Sequence, residues 1–250
     1  MTPVYFHGVP GSPREVALAG LILRDVAPEA QIGPDRHLIG FALGAHRAIV
    51  AAVRHGATRL DLIAPGAPLD LGDFLPRMAG RAVFEAARKG RLARLVALQR
   101  AMLVLAPRLT LRRVFSGAAP ADARLIRPGA ARDILTVAFR DQLLGDPAGY
   151  RSAIEAYVQP WADLLPRVPC PVRIWHGCAD RWAPFDMAEA LRDHLPDATL
   201  VPLPGLGHHS ALVEALPRIL GKTPPRIQRK TPPRILRKTP PRIQREAHQA

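Results

Sequence analysis

The run "RHLIGFALGAHRAIVAAVRHG", residues 36–56, constrains the fold of this chain more than any other stretch. Residues 36–41 are apolar and β-rich, the pattern of a buried strand. From Leu43 onward the apolar residues recur at helical spacing, until Gly56 closes the run. Gly40 and Gly44 flank the junction. Small residues belong where a strand turns sharply into a helix and the backbones crowd. A strand feeding directly into a helix is half of a βαβ unit, and such units build parallel sheets.

The flanking sequence supplies more of the same. "PVYFH" (3–7) stops at the turn cluster "GVPGSP", and residues 14–25 have helical length and spacing. "TRLDLIAPGAP" (58–68) reads as a strand and turn. Alternation resumes later with strand "PVRIWHG" (171–177), helix "PFDMAEALRDHL" (184–195), strand "ATLVPLP" (198–204) and helix "SALVEALPRIL" (210–220). Between them, residues 71–166 hold helical stretches such as "RMAGRAVFEAARKG" and "RLARLVALQRAMLVLAP" and no clear strand. The expectation is an α/β core from 1–70 and 167–221, with a mostly parallel sheet flanked by helices. The intervening 71–166 would be an inserted helical lid over the carboxyl ends of the strands. A chain of 250 residues is near the upper end of what one core serves, which suits a core plus an insertion.

A net charge of +14 would ordinarily suggest nucleic acid or an anionic surface. Its distribution argues otherwise. "KTPPRIQRKTPPRILRKTPPRIQR" (222–245) repeats one eight-residue unit three times and carries nine of the 35 Lys and Arg, which leaves 26 basic against 20 acidic residues before it, a net +6. Two prolines per repeat remove backbone donors and favour extended disorder, so 222–250 reads as a basic, Pro-rich tail. Loose nucleic-acid contact through that tail is the one such role the charge supports. Cys170 and Cys178 flank one strand, and eight extended residues span roughly 26 Å, far beyond disulfide reach. Free thiols, an N-terminus without a signal-peptide pattern, and apolar runs too short to span a bilayer together predict a cytoplasmic protein that makes no membrane contact.

In an open parallel sheet, chemistry gathers just beyond the carboxyl ends of the strands. Four stretches lie there: "HGVPGS" (7–12), Gly40-Phe41-Ala42-Leu43-Gly44, "WHGCAD" ending at Asp180, and "PGLGHHS" with His208. The second has the spacing of the G-x-S-x-G nucleophile elbow, with Ala42 where the hydroxyl would stand. The glycines of the first suit backbone N–H groups facing a cavity. No Cys/His cluster has metal spacing and no Gly-rich loop matches a phosphate cradle, so no cofactor is expected.

Elbow, then Asp, then His is the chain order of α/β-hydrolases. The sequence resembles the lid-bearing serine-hydrolase type of that superfamily from about residue 4 to 220, through the phrases H-G-x-P-G-S, H-G-x-x-D and G-x-G-H. The resemblance implies that Ala42 occupies the nucleophile position, His208 is the general base and Asp180 its orienter. Val9 and Leu43 would supply the oxyanion-hole N–H groups. The neighbouring His209 is the alternative base, Asp70 (or Asp61 nearby) the alternative acid, and Ser12 and Ser210 the hydroxyls near the supposed site. His7 and His176 are expected to be structural. The implied activity is that of a serine esterase or amidase on a small ester- or amide-like substrate, inactive or severely impaired because alanine has no hydroxyl. Two alternatives stand beside it: a non-catalytic small-molecule binder, and His-Asp base chemistry without a nucleophile. One departure is plain. Only 28 residues separate His7 from Arg36, too few for the helix, strand and helix usual there, so a smaller sheet with an exposed edge is expected.

Overall fold

The computed structural model describes residues 2–223 and 225, so nearly all of the repeat tail, and the disorder expected of it, lies outside the described residues. Five parallel strands form one sheet: β1 (Val4–Phe6), β2 (His37–Phe41), β3 (Arg59–Ile63), β4 (Val172–Gly177) and β5 (Ala198–Leu203). Their spatial order is their chain order. Such a sheet is buried on both faces, and its inner strands are accordingly near-continuous apolar runs. Leu38, Ile39, Leu60, Leu62, Ile63 and Ile174 are all fully buried.

Helices cover both faces. Helix α1 (Gly44–His55) follows β2 and ends at Gly56, whose φ of 78° is a conformation that favours glycine. Between β3 and β4 the chain makes six α-helices: α2 (Arg81–Arg88), α3 (Leu92–Leu105), α4 (Pro107–Val114), α5 (Pro120–Leu125), α6 (Ala130–Arg140) and α7 (Pro147–Tyr157). Helix α6 runs on into one π turn, Asp141–Gly145. The last two helices are α8 (Phe185–His194) and α9 (His208–Ile219). None of the described helices is long and apolar enough to cross a membrane. Cys170 is buried, Cys178 is exposed, and both are free thiols.

The compressed segment after β1 departs from the helix expected over 14–25. It forms two short 3₁₀ stretches, Pro13–Ala19 and Leu23–Asp25, separated at Gly20. Gly20 takes a φ of 72° and ends the first stretch. The chain is then drawn alongside β1: Tyr5 N–H donates to the Ala27 carbonyl at 3.0 Å and Ala27 N–H to the Pro3 carbonyl at 2.7 Å. Helical spacing was present, but there was no room for a full helix before the sheet claimed the backbone. One parallel bridge between Val4 and Ala27 therefore stands where a complete edge strand would pair.

A buried ionic cluster ties three strands together. Asp61 on β3, fully buried, accepts from His37 Nε2 on β2 at 2.7 Å, Arg59 Nε at 2.7 Å and Trp175 Nε1 on β4 at 2.8 Å. Burial alone would raise this carboxyl's pKa. The three donors outweigh burial and hold it below its ordinary value. A carboxyl whose folded value is depressed adds stability above its unfolded pKa of about 4 and loses it as pH falls further. Asp61→Ala is expected to cost about 1–3 kcal/mol, because it leaves the buried Trp175 indole N–H without its acceptor and takes the same acceptor from the partly exposed His37 and Arg59. Denaturant unfolding of the two proteins at pH 7 checks this, and the difference should narrow in acid.

Candidate active site

The turn between β2 and α1 is as tight as its glycines imply. Ala42 takes a φ of 52°, a left-handed conformation uncommon outside glycine and characteristic of strained functional turns. The turn is held from both sides: Ala42 N–H donates to the Ile63 carbonyl at 3.0 Å and Ala45 N–H to the Ala42 carbonyl at 3.1 Å. A Cβ on Gly40 would lie 2.5 Å from Ala45 Cα, and one on Gly44 would strike the Phe6 and His7 carbonyl oxygens. Helix α1 therefore starts directly against the end of β1. Arg47 reinforces the contact by donating to the His7 carbonyl at 2.8 Å and pairing with Glu29 at 2.8 Å.

Asp180 follows β4, and its buried carboxylate is fully engaged. Oδ1 accepts the N–H groups of Trp182 at 2.8 Å and Ala183 at 3.1 Å, while Oδ2 lies 2.7 Å from His208 Nδ1. His176 Nε2 donates to the Ala183 carbonyl at 2.8 Å and sits 3.6 Å from the same Oδ2. Burial would raise Asp180, yet the His208 charge and hydrogen bond, helped by His176, hold it below the carboxylate norm. Burial would lower His208. The Asp180 charge and hydrogen bond reverse that and raise it, with Asp122 and Glu15 adding to the effect. The His208 ring also stacks on Trp182, centroids 5.5 Å apart and planes 17° off parallel. The imidazole is thus held in one orientation by a carboxylate on one side and an indole ring on another.

Ala42, Val9, Leu43 and His208 all line one cavity of about 80 Å³. Its remaining wall is mostly apolar and draws on the insertion as well as the core, with Met78, Val83, Phe84 and Ile154 among the contributors. Neither the Val9 nor the Leu43 N–H has a protein acceptor among the described residues. The structure thus brings positions 9, 42, 43 and 208 to one space and bonds Asp180 to the imidazole.

His209 also lines the cavity, but burial and the His208 charge push its pKa down to about 3, and its Nδ1 has no hydrogen-bond partner among the described residues. The remaining candidates fall elsewhere. Asp61 belongs to the strand cluster, and Asp70 is exposed. Ser12 Oγ donates to Asp141 at 2.9 Å, and Ser210 Oγ accepts the Gly207 N–H at 2.8 Å in the first turn of α9. His7 Nδ1 donates to the Gly8 carbonyl at 2.8 Å. Among the described residues no group of three or more His, Cys, Asp and Glu is arranged to hold a metal ion.

Two buried acids near the site escaped the sequence reading. Glu15 accepts the Gly8 N–H at 2.7 Å and the Tyr5 hydroxyl at 2.8 Å, and burial pushes its pKa up to about 7. Ser12-Pro-Arg-Glu15 has the spacing of a capping box, which would send Glu15 back to the Ser12 backbone. It braces the His7–Gly8 turn instead. Asp122, from α5, accepts the backbone N–H groups of His208 and Ser210 at 2.7 and 2.8 Å. No local signal marks it, because its partners lie 86 and 88 residues away.

No protein-family model matches the sequence, and no curated protein matches it either. Solved structures do. A bromoperoxidase from Bacillus anthracis is 15% identical with a TM-score of 0.57, over 88% of this chain and 91% of that one. A serine hydrolase from Cycloclasticus zankles, also 15% identical, has a TM-score of 0.54 over 88% of this chain and 87% of its own. An esterase from Exiguobacterium antarcticum has the same identity and TM-score, over 87% and 88%. Five parallel strands stand here where the sheet of these folds usually has eight. The strand-to-helix turn, the acid after β4 and the histidine after β5 thus sit in a reduced version of a known architecture: this chain has the α/β-hydrolase fold.

Proposed function

We propose that the chain is a hydrolase-fold protein of the serine esterase or amidase type, acting on or descended from action on a small ester- or amide-like substrate, and catalytically silenced at Ala42. The observation that carries this reading is the 2.7 Å bond between His208 Nδ1 and Asp180, with His208 and Ala42 on the same cavity. In this reading the helical insertion is a lid, whose Val83, Phe84 and Ile154 close over an apolar acyl group.

The chemistry follows from the parts. Asp180 fixes the imidazole so that Nδ1 carries a proton and Nε2 is free to accept one. A hydroxyl on residue 42 would give its proton to Nε2 and attack the carbonyl carbon. The oxyanion would be held by the Val9 and Leu43 N–H groups. His208 would then return the proton to the leaving group, and water would release the acyl group by the same route. With a methyl at 42, the first bond never forms. Loss of a triad nucleophile costs on the order of 10⁶ in turnover, about 8 kcal/mol of barrier. The oxyanion hole and the pocket are untouched by that loss, so binding survives. A second reading, a non-catalytic binder of small molecules, draws on the same alanine and on His209 at the wall, neutral and with no hydrogen-bond partner for its Nδ1 among the described residues. Base chemistry by the His208–Asp180 pair without a nucleophile is the third.

The protein as it stands is expected to turn over p-nitrophenyl acetate negligibly, whereas Ala42→Ser should gain at least about 10³-fold and be labelled by a fluorophosphonate. A folded Ala42→Ser protein that stays silent would favour the binder. In the Ala42→Ser protein, kcat/KM should rise with pH, because His208 acts only when neutral. Its folded value is raised, so the inflection should lie above the ordinary 6.5. Asp180→Asn removes the chief cause and should move that inflection to lower pH, as a pH–rate series would read directly.

A further inference from the structure

Polar contacts fasten the helical insertion to the core at several points, three of them on α7, the end of α6 and α5. Tyr157 of α7 donates to the Ala67 carbonyl at 2.7 Å, and Ser12 donates to Asp141 at the end of α6 at 2.9 Å. The third differs from them in what it grips. Asp122 of α5 reaches the first turn of α9, the turn that contains His208. Its Oδ2 accepts the His208 N–H at 2.7 Å and its Oδ1 the Ser210 N–H at 2.8 Å.

We propose that Asp122 is a positioning residue for His208: it supplies from the insertion the cap that α9 lacks in its own sequence, and so makes the seating of the imidazole depend on the seating of the lid. A helix start leaves its first N–H groups without intrahelical partners, and a carboxylate is among the best acceptors for them. The residue before α9 is Gly207, which has no side chain to cap with. Glycine is also required there for space. A Cβ would strike the Asp122 carboxylate and lie 2.8 Å from Ala119 Cβ. Asp122 is 1% exposed, so both oxygens are committed to this end of the helix with little competition from water. With N–H groups of residues 208 and 210 held by one carboxyl group, the backbone of His208 cannot rotate without breaking a buried charge-assisted bond. A lid swinging away at α5 would uncap α9 in the same movement.

The inference rests on His208 being the base only for its consequence in catalysis; the cap itself is independent of that role. The groups around His208 are Asp180, Asp122 and Glu15, whose charges raise its pKa, and the neighbouring His176 and His209. Of these, only Asp122 comes from the insertion. Uniformly labelled full-length chain, followed by NMR, tests the proposal without needing turnover. In Asp122→Ala, the amide protection of His208 and Ser210 should fall at least about tenfold while that of Ile39 and Leu62 in the sheet holds. The His208 imidazole should titrate at lower pH. Asp122→Asn, which keeps an acceptor but not the charge, should lie between the two. Gly207→Ala, which pushes the carboxylate aside, should reproduce the loss of protection with Asp122 still present. Unchanged protection at 208 and 210 in Asp122→Ala would overturn the proposal, and so would equal loss across the sheet, since that marks a general destabilisation. Asp180→Asn serves as the separating control. If it shifts the imidazole titration and Asp122→Ala leaves both protection and titration alone, the latch fails while the base stands. If Asp180→Asn has no effect, the base assignment fails whatever Asp122 does.

Discussion

The contact on which the site depends is the close approach of α1 to the end of β1. Gly44 sits so near the Phe6 and His7 carbonyls that no side chain fits between them. Arg47, one turn later, grips the same His7 carbonyl. These two contacts set the His7–Gly8 turn beside the strained Ala42 turn, and they do so before any functional group is considered. The Gly8 N–H is then taken by Glu15, which fixes the direction in which the chain leaves for Val9. The site begins as a problem of backbone packing, solved by two glycines, an arginine and a buried acid.

From there the parallel sheet does the gathering. Strands in chain order, all pointing one way, deliver every following loop to a single edge. Asp180 and His208 follow successive strands, β4 and β5, and need only a hydrogen bond to become a pair. Burial works against a charge on either one. The pair holds because each supplies the countercharge the other lacks, and because Trp182 and Ala183 donate to the second carboxylate oxygen. Trp182, with its ring on the imidazole and its N–H on the acid, serves both.

Much of this was legible in the residues themselves. Gly40, Ala42 and Gly44 announced the turn through spacing alone, and His208 and Asp180 stood at predicted strand ends. The strand boundaries followed apolar runs within a residue or two, because the inner strands of a parallel sheet are near-continuous apolar runs. What stayed hidden was long-range or overridden. Residues 14–25 had helical spacing, but Gly20 and the pull of β1 on Ala27 divided the segment. Glu15 has the spacing of a capping residue yet accepts from the Gly8 N–H and the Tyr5 hydroxyl, partners that the spacing does not reveal. Asp122 could not be read at all: nothing within a dozen residues of it hints that it will finish a helix 86 positions away.

The conformation of residue 42 carries one more implication. Glycine would relieve a φ of 52° at no steric cost, whereas alanine keeps a Cβ pinned at the lip of the cavity. If the proposed reading holds, the distance from silence to reactivity is a single oxygen atom, added to a carbon that is already in position, with no segment of main chain to rebuild.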